Sequence, residues 1–200
     1  MNSGDNIYRK FRVDALSNVR SWEDIKKLLV DNKRSLEYLK EYEGLDNFLG
    51  SGAYGKVFKI KNENLTIKVT TDNDEIDGSA IIYRKGPTKR FINVYSIQII
   101  NDSLAIKIQD YLYTLTGENV EAAKQLQKLY EDGFSVPSNG SRIEYMNYYD
   151  YLNKNAQRFL SELYSDYNKL DLTGFEFNEL DVKAENLLQD RQGKLILADF

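Results

Sequence analysis

The sequence predicts an α+β chain of two lobes, in which an antiparallel sheet comes first and helices follow. Short segments rich in β-branched and aromatic residues occupy residues 45–109, and turn residues separate most of them. From Gly117 to Leu170 the apolar residues recur at helical spacing instead. Strands followed by helices, rather than strands alternating with helices, favour an antiparallel sheet with a separate helical part.

A helix is predicted to precede the sheet, over Ser21–Tyr42. Ser21 and Asp24 have the spacing of a capping box, and Gly44 can end the helix. The apolar residues at helical spacing are Ile25, Leu28, Leu29, Leu36 and Leu39. Residues 1–44 are therefore expected to form an N-terminal helical extension.

The β lobe is predicted over residues 45–112. The segments with the composition of strands are Leu45–Leu49, Lys56–Lys61, Leu65–Thr70, Phe91–Ile100 and Leu104–Gln109. A short helix is predicted around Glu75–Lys85, where Gly78 interrupts it and Gly86 and Pro87 stop it. The lobe is thus expected to be a sheet with one small helix.

Residues 113–200 are expected to form a mainly helical lobe of reduced size. The first apolar stripe, which ends at Gly133, consists of Val120, Ala123, Leu126, Leu129 and Tyr130. The second, over Asp150–Leu170, consists of Leu152, Ala156, Phe159, Leu160, Leu163 and Tyr167. A loop over Asp171–Asn186 then leads into a hairpin. Its strands, Leu187–Leu188 and Lys194–Ala198, flank the turn Asp190–Gly193.

The composition excludes several classes of function. The 200 residues include no cysteine and no histidine, which rules out disulfides, zinc–thiolate sites, cysteine nucleophiles and histidine-dependent triads. A net charge of −4 without a basic cluster argues against a nucleic-acid partner. No apolar run is long enough to cross a bilayer, so we expect a cytoplasmic protein without a membrane partner. Any catalysis must use carboxylates, Lys, Ser, Thr, Tyr or a cofactor.

The segment Gly50–Val57, GSGAYGKV, fits the pattern G-x-G-x-x-G-x-V. Its glycines would let the backbone approach phosphate groups that a Cβ would hold away. The same residues fit a Walker-type loop except at Val57, where that loop needs Ser or Thr to hold Mg²⁺. Because the residues that follow alternate as in a strand, a strand–turn–strand unit is favoured over a turn that opens a helix. A tight hairpin that binds no ligand stays an alternative.

Two further patterns carry polar groups in unusual places. Lys68 is a single lysine in an apolar strand, and it either lies exposed on an edge strand or reaches phosphates from the sheet. The segment Asp181–Asn186, DVKAEN, is followed after the predicted hairpin by Asp199 and Phe200. Acidic residues in a loop are usually only solvated, but here several patterns occur together in a consistent order and spacing.

These residues resemble the protein-kinase family over approximately residues 48–200. Asp181–Asn186 resembles the catalytic loop D-L-K-x-x-N, and Asp199 with Phe200 resembles the start of the D-F-G element. The resemblance implies a protein-kinase-like fold that binds ATP and Mg²⁺ and transfers the terminal phosphate. The reduced layout is similar to the small early kinases of short-tailed bacteriophages, which implies a Ser/Thr kinase acting on host proteins or on itself.

The resemblance assigns a role to each matching residue. Gly50, Ser51, Gly52, Ala53, Tyr54 and Gly55 would cover the triphosphate, Val57 and Thr66 would lie above the adenine and Leu188 below it. Lys68 would hold the α/β-phosphates with Glu75 as its partner. Residues 109–112, including Gln109 and Tyr111, would connect the lobes and offer backbone groups to the adenine. Asn186 and Asp199 would bind Mg²⁺, Asp181 would accept the proton of the attacking hydroxyl, and Lys183 would neutralise the moving phosphoryl group.

The sequence also departs from the family. Glu179 and Leu180 replace its His and Arg before Asp181. The sequence ends at Phe200, so no activation segment is expected in this truncated or naturally minimal kinase.

Three functions stay open. Lys183 favours a Ser/Thr protein kinase, whereas the reduced lobe favours a pseudokinase that binds a nucleotide or a partner without phosphate transfer. The third is phosphorylation of a small molecule, as in the antibiotic-kinase relatives.

Overall fold

The computed structural model describes residues 21–28, 47–52, 54–101, 104–132, 150–170 and 182–198. The chain forms two compact units. The first combines the described residues up to Tyr83 with Val94–Tyr111, and the second combines Arg84–Asn93 with the described residues from Leu112 onward. The sequence assigned residues 84–93 to the β lobe. The structure groups them with the second unit, because side chains of that unit bind them.

Helix α1, Trp22–Leu28, precedes the sheet. The predicted capping box is confirmed, since the backbone N–H of Asp24 donates to Ser21 Oγ at 3.2 Å and the N–H of Ser21 donates to Asp24 Oδ2 at 3.0 Å. The helix was predicted to continue to Tyr42. That part of the prediction lies outside the described residues.

A five-stranded antiparallel sheet forms the first unit and confirms the predicted α+β class. Its strands are β1 (Asn47–Ser51), β2 (Gly55–Lys59), β3 (Leu65–Thr70), β4 (Val94–Asn101) and β5 (Leu104–Asp110). They lie in the order β1-β2-β3-β5-β4. The strand predicted from Phe91 begins only at Val94. The reason is that Phe91 and Ile92 pair with Leu197 of the second unit.

The two faces of the sheet differ in polarity. One face carries apolar side chains that are at most 2% exposed: Phe58, Ile67, Val69, Ile106 and Ile108. On the other face the register places Thr66 opposite Gln109, Lys68 opposite Lys107, and Thr70 opposite Ala105. All six side chains are buried. A polar face that is buried in this way needs bonding partners, because its groups lose their hydration.

Helix α2, Asn73–Lys85, follows β3 and supplies some of these partners. It is continuous through Gly78, where the sequence predicted an interruption. Glu75 and Ser79, on either side of Gly78, both bond to lysines of the sheet, and these contacts outweigh the cost of glycine in a helix, about 1 kcal/mol relative to alanine. Gly86, with a φ of 89°, follows the last helical residue.

The second unit contains helices α3 (Glu118–Glu131) and α4 (Lys154–Leu170) and a hairpin of β6 (Leu187–Gln189) and β7 (Leu195–Leu197). Its buried apolar side chains include Ala122, Ala123, Leu126, Leu129, Ala156, Phe159, Leu160, Leu163, Leu187, Leu195 and Leu197. The predicted stripe on α3 is wrong at Val120, which is 40% exposed. Asn119 is buried next to it, because its amide donates to Gln189 Oε1 at 2.9 Å and to the Gly193 carbonyl at 2.7 Å.

Helix α4 and the hairpin bind the segment Arg84–Asn93. One carboxylate oxygen of Asp166 accepts the backbone N–H groups of Lys89 and Arg90, each at 2.6 Å. The buried guanidinium of Arg90 donates to the carbonyl of Leu195 at 2.7 Å. These bonds explain why the segment belongs to the second unit.

None of the helices in the described ranges combines the length and the apolar character needed to span a membrane. The longest of them, α4, has 17 residues and includes five charged side chains.

Candidate functional site

Lys68 lies on the buried polar face of the sheet. Its strand, β3, is flanked by β2 and β5, so the lysine is not on an edge strand. Its Nζ lies 2.6 Å from Oε1 of Glu75 on α2. Lys68 is 7% exposed and Glu75 is 3% exposed, so the ion pair is buried. The structure brings together the predicted lysine and its predicted partner, and the alternative of an exposed edge lysine is wrong.

A second lysine, Lys107, shares the same carboxylate. It lies on β5 directly opposite Lys68, and its Nζ lies 2.6 Å from the same Oε1 of Glu75. Lys107 also donates to Ser79 Oγ at 3.0 Å, one turn further along α2. The other carboxylate oxygen, Oε2, accepts the hydroxyl of Thr70 at 2.6 Å. We call these five residues the lysine cluster.

The lysine cluster keeps Glu75 ionised. Burial by itself raises the pKa of this carboxyl, because desolvation penalises the charged form. The ammonium groups of Lys107 and Lys68 outweigh burial and lower the pKa of Glu75 from 4.5 to about 2. With both lysines protonated, these three groups carry two positive charges and one negative charge.

The predicted glycine turn joins β1 to β2, which pair antiparallel, so it belongs to a strand–turn–strand unit. It reaches the lysine cluster at Gly55, where a Cβ would come within 2.7 Å of Lys68 Cε. At Gly50 and Gly52 no heavy atom of the described residues lies within 4 Å of a Cβ, and neither residue has a positive φ. Neither the conformation nor the described neighbours therefore require glycine at these two positions.

The remaining residues of the turn are less enclosed. Ser51 is exposed and Tyr54 is half-buried. The carbonyl oxygen of Tyr54 accepts two hydrogen bonds from Thr71, one from the backbone N–H at 2.8 Å and one from the side-chain hydroxyl at 3.2 Å. These bonds connect the turn to the residue that follows β3. Ala53 lies outside the described residues.

Val57, Thr66 and Gln109 lie on the same sheet face as Lys68. The hydroxyl of Thr66 donates to the carbonyl of Asp110 at 3.2 Å. The side-chain Oε1 of Gln109 is buried and has no hydrogen-bond partner among the described residues. A buried acceptor left in this state costs about 1–3 kcal/mol.

Residues 109–112 were predicted to connect the lobes, and the boundary between the two units lies between Tyr111 and Leu112. Gln109 and Asp110 belong to β5 and pair with β3. The backbone N–H of Tyr111 donates to the carbonyl of Asn64 at 2.9 Å. The resemblance implied that residues 109–112 offer backbone groups to an adenine, and among these groups the N–H of Tyr111 is used within the first unit.

The second unit contains the residues predicted for metal binding and phosphate transfer. Lys183 precedes the 3₁₀ turn Ala184–Asn186, and Lys183 and Asn186 are both half-buried. The N–H of Ala198 donates to the carbonyl of Asn186 at 2.8 Å, so the hairpin brings the residue before Asp199 next to Asn186. Leu188 is half-buried in β6, and Asp181 and Asp199 lie outside the described residues.

Metal binding stays a prediction at this site. Across the described ranges, no group of three or more His, Cys, Asp or Glu side chains could hold a metal ion. The predicted donors are the amide oxygen of Asn186 and the carboxylate of Asp199, and both are the hard oxygen ligands that Mg²⁺ prefers.

Sequence reasoning found Lys68 and Glu75 but missed Lys107, Thr70 and Ser79. A signal for Lys107 was present, because it is a single lysine in the apolar strand LAIKIQD, as Lys68 is in LTIKVT. Their pairing depends on the register between β3 and β5, and more than thirty residues of the sequence separate the two strands. The sequence pattern by itself did not predict that register.

A scan of the chain against models of known protein families finds no match, and neither does a search among curated proteins.

Proposed function

We propose that this chain is a minimal Mg-ATP-dependent Ser/Thr protein kinase with a protein-kinase-like fold, in which Lys68 of the lysine cluster binds the phosphates of ATP. The observation that carries the proposal is the buried ion pair of Lys68 and Glu75, at 2.6 Å, against which the glycine turn packs at Gly55. A phosphate needs a cation held in place and a backbone that can approach closely. Both features occur together in the first unit.

Two further observations support a nucleotide as the ligand. At Gly50 and Gly52, neither crowding by the described residues nor the backbone conformation requires glycine. The close approach of a phosphate to the backbone would explain why these two positions carry no side chain. The buried Oε1 of Gln109, on the same sheet face as Lys68, suits the exocyclic amino group of adenine.

Phosphate transfer is assigned to the second unit on its kinase-like pattern. Asn186 and Asp199 would hold Mg²⁺, which shields the phosphate charges. Asp181 would orient the acceptor hydroxyl and take its proton, and Lys183 would stabilise charge on the moving phosphoryl group. The proposed acceptors are Ser or Thr hydroxyls of host proteins or of the chain itself. A bacteriophage source and a place in the host cytoplasm are part of the same proposal.

Incubation with Mg²⁺ and γ-labelled ATP tests the proposal. We expect label on the chain or on proteins of an added lysate, and a loss of about 100-fold or more in Asp181→Asn and Asp199→Asn, because acid–base and metal-binding groups are removed. Lys61→Met, at an exposed lysine after β2, is the control and should label as the wild type does. Labelling that persists in both aspartate variants would contradict the assignment.

A pseudokinase that binds a nucleotide without phosphate transfer is the second candidate. The glycine turn and the lysine cluster both belong to the first unit, which contains neither Asp181 nor Asp199. The first unit could therefore bind a nucleotide without the residues proposed for phosphate transfer, and this favours the pseudokinase. Thermal unfolding separates the candidates, since Mg-ATP at a hundredfold its dissociation constant should stabilise the chain by about 2.7 kcal/mol. Stabilisation without any labelling would favour the pseudokinase, and the absence of stabilisation with every nucleotide would count against both.

A further inference from the structure

Lys107 has no role among the residues assigned to ATP binding, yet it is the more buried of the two lysines in the cluster. It is 0% exposed, whereas Lys68 is 7% exposed. Its Nζ contacts two side chains of α2, Glu75 Oε1 at 2.6 Å and Ser79 Oγ at 3.0 Å. Lys68 meets the same Oε1 at 2.6 Å from the less buried position. The two lysines therefore share one carboxylate oxygen but differ in their access to a ligand.

The shared oxygen matters when an anion binds. An anion that attracts Lys68 competes with Glu75 for the same ammonium group. In a site with one lysine, the carboxylate would stay behind buried and unpaired, which is strongly unfavourable. Here Glu75 keeps Lys107 on Oε1 and the hydroxyl of Thr70 on Oε2. Lys68 can therefore turn to an anion while Glu75 stays paired.

We propose that Lys107 is a positioning residue, which neutralises Glu75 and thereby frees Lys68 to bind the phosphate groups of a nucleoside triphosphate. The inference rests on the proposed function for the identity of the ligand as a phosphate. It adds that Lys107 acts through Glu75 and touches no ligand.

The test uses the full chain and measures dissociation constants for tripolyphosphate and for Mg-ATP by calorimetry. Lys68→Met removes the ammonium group that meets the anion and should abolish binding of both. Lys107→Met leaves Lys68 as the lysine of the cluster that pairs with Glu75, and should weaken binding of both by about 10- to 100-fold. Lys56→Met is the matched control, because Lys56 is also 7% exposed but lies on the opposite face of the sheet. Its affinities should equal those of the wild type.

A double variant separates positioning from packing. In Lys107→Met/Glu75→Gln the neutral amide no longer requires an ammonium group, so Lys68 stays available to the anion. We expect the affinity for tripolyphosphate to return at least to the wild-type value, which would not happen if Lys107 only filled space. If Lys107→Met does not fold by itself, the double variant is compared with the wild type directly, because it leaves no carboxylate to neutralise.

Each outcome decides between the two proposals. Wild-type affinity in Lys107→Met, or a double variant that binds tripolyphosphate more weakly than the wild type, would overturn the role of Lys107 and leave ATP binding intact. The expected pattern with tripolyphosphate, but no transfer from ATP, would support that role and contradict the kinase function. A wild-type chain that binds neither tripolyphosphate nor Mg-ATP would overturn both.

Discussion

Gly50 and Gly55 belong to one glycine turn, but an added methyl group has different consequences at each. At Gly55 the Cβ would meet Lys68 Cε at 2.7 Å and the carbonyl oxygen of Val69 at 3.3 Å. We expect Gly55→Ala to lower the free energy of unfolding by about 1–3 kcal/mol, because the lysine must move from its place beside Glu75. Urea unfolding measures this change.

Gly50→Ala is the matched variant. No heavy atom of the described part of the chain lies within 4 Å of a Cβ there, so stability should change by less than about 0.5 kcal/mol. If the turn covers phosphates, the affinity for Mg-ATP should nevertheless fall. An unchanged affinity in Gly50→Ala would contradict the placement of the phosphates at this turn.

The attachment of α2 to the sheet depends on pH through Glu75. The pKa of Glu75 is about 2 in the folded chain, against an ordinary value of 4.5. Since the folded-state pKa is the lower one, the unfolded chain takes up the proton first and stability falls as the pH falls. The stabilisation is complete above about pH 4.5 and is lost toward pH 2. It amounts to about 3 kcal/mol.

Urea unfolding as a function of pH tests this attachment. Between pH 4.5 and pH 2 the free energy of unfolding should fall more steeply in the wild type than in Glu75→Gln, which has no carboxyl to titrate there. Glu63→Gln, at an exposed carboxylate in the same unit, should follow the wild type. Equal slopes in the wild type and in Glu75→Gln would show that Glu75 does not anchor the helix.

Helix α4 holds the segment Arg84–Asn93 through one carboxylate. Asp166→Ala would remove the acceptor of two backbone N–H groups, each now bonded at 2.6 Å, and should cost about 2–4 kcal/mol. Asp166→Asn keeps an acceptor oxygen and removes a charge that burial disfavours, since burial raises the pKa of the carboxyl. We therefore expect a cost below about 1 kcal/mol for this variant.

Thermal or urea unfolding of both variants decides the role of Asp166. The control is Ser165→Ala, at the exposed neighbouring position of the same helix, which should change stability by less than about 0.5 kcal/mol. If Asp166→Ala were as stable as Asp166→Asn, the two hydrogen bonds would not hold the segment.

The two units divide the proposed function. The glycine turn and the lysine cluster belong to the first unit, and Asp181 belongs by its position in the chain to the second. Asp181→Asn should therefore keep an affinity for Mg-ATP close to that of the wild type and lose transfer by about 100-fold or more. Lys68→Met should lose both. Parallel loss of affinity and labelling in Asp181→Asn would contradict this division.

Much of the fold was predictable, because the signals for it are local. The composition of β-branched residues between turn residues gave β3 its predicted limits, and the Ser21–Asp24 spacing predicted a capping box that the structure contains. Helical periodicity wrongly predicted that Val120 is buried. The buried residue is its neighbour Asn119, whose hydrogen-bond partners lie on a hairpin about 70 residues later in the chain. These two hydrogen bonds satisfy the amide of Asn119 and allow it to be buried.

Local patterns predicted the kind and order of the elements, the glycine turn and the single lysine on β3, and the family resemblance named Glu75 as the partner of that lysine. The sharing of this carboxylate by Lys107 and the place of residues 84–93 in the second unit became visible only in the folded chain. Periodicity and turn chemistry act within a few residues of the chain. Strand register and buried hydrogen bonds join residues far apart in the sequence, and packing of the whole unit selects them.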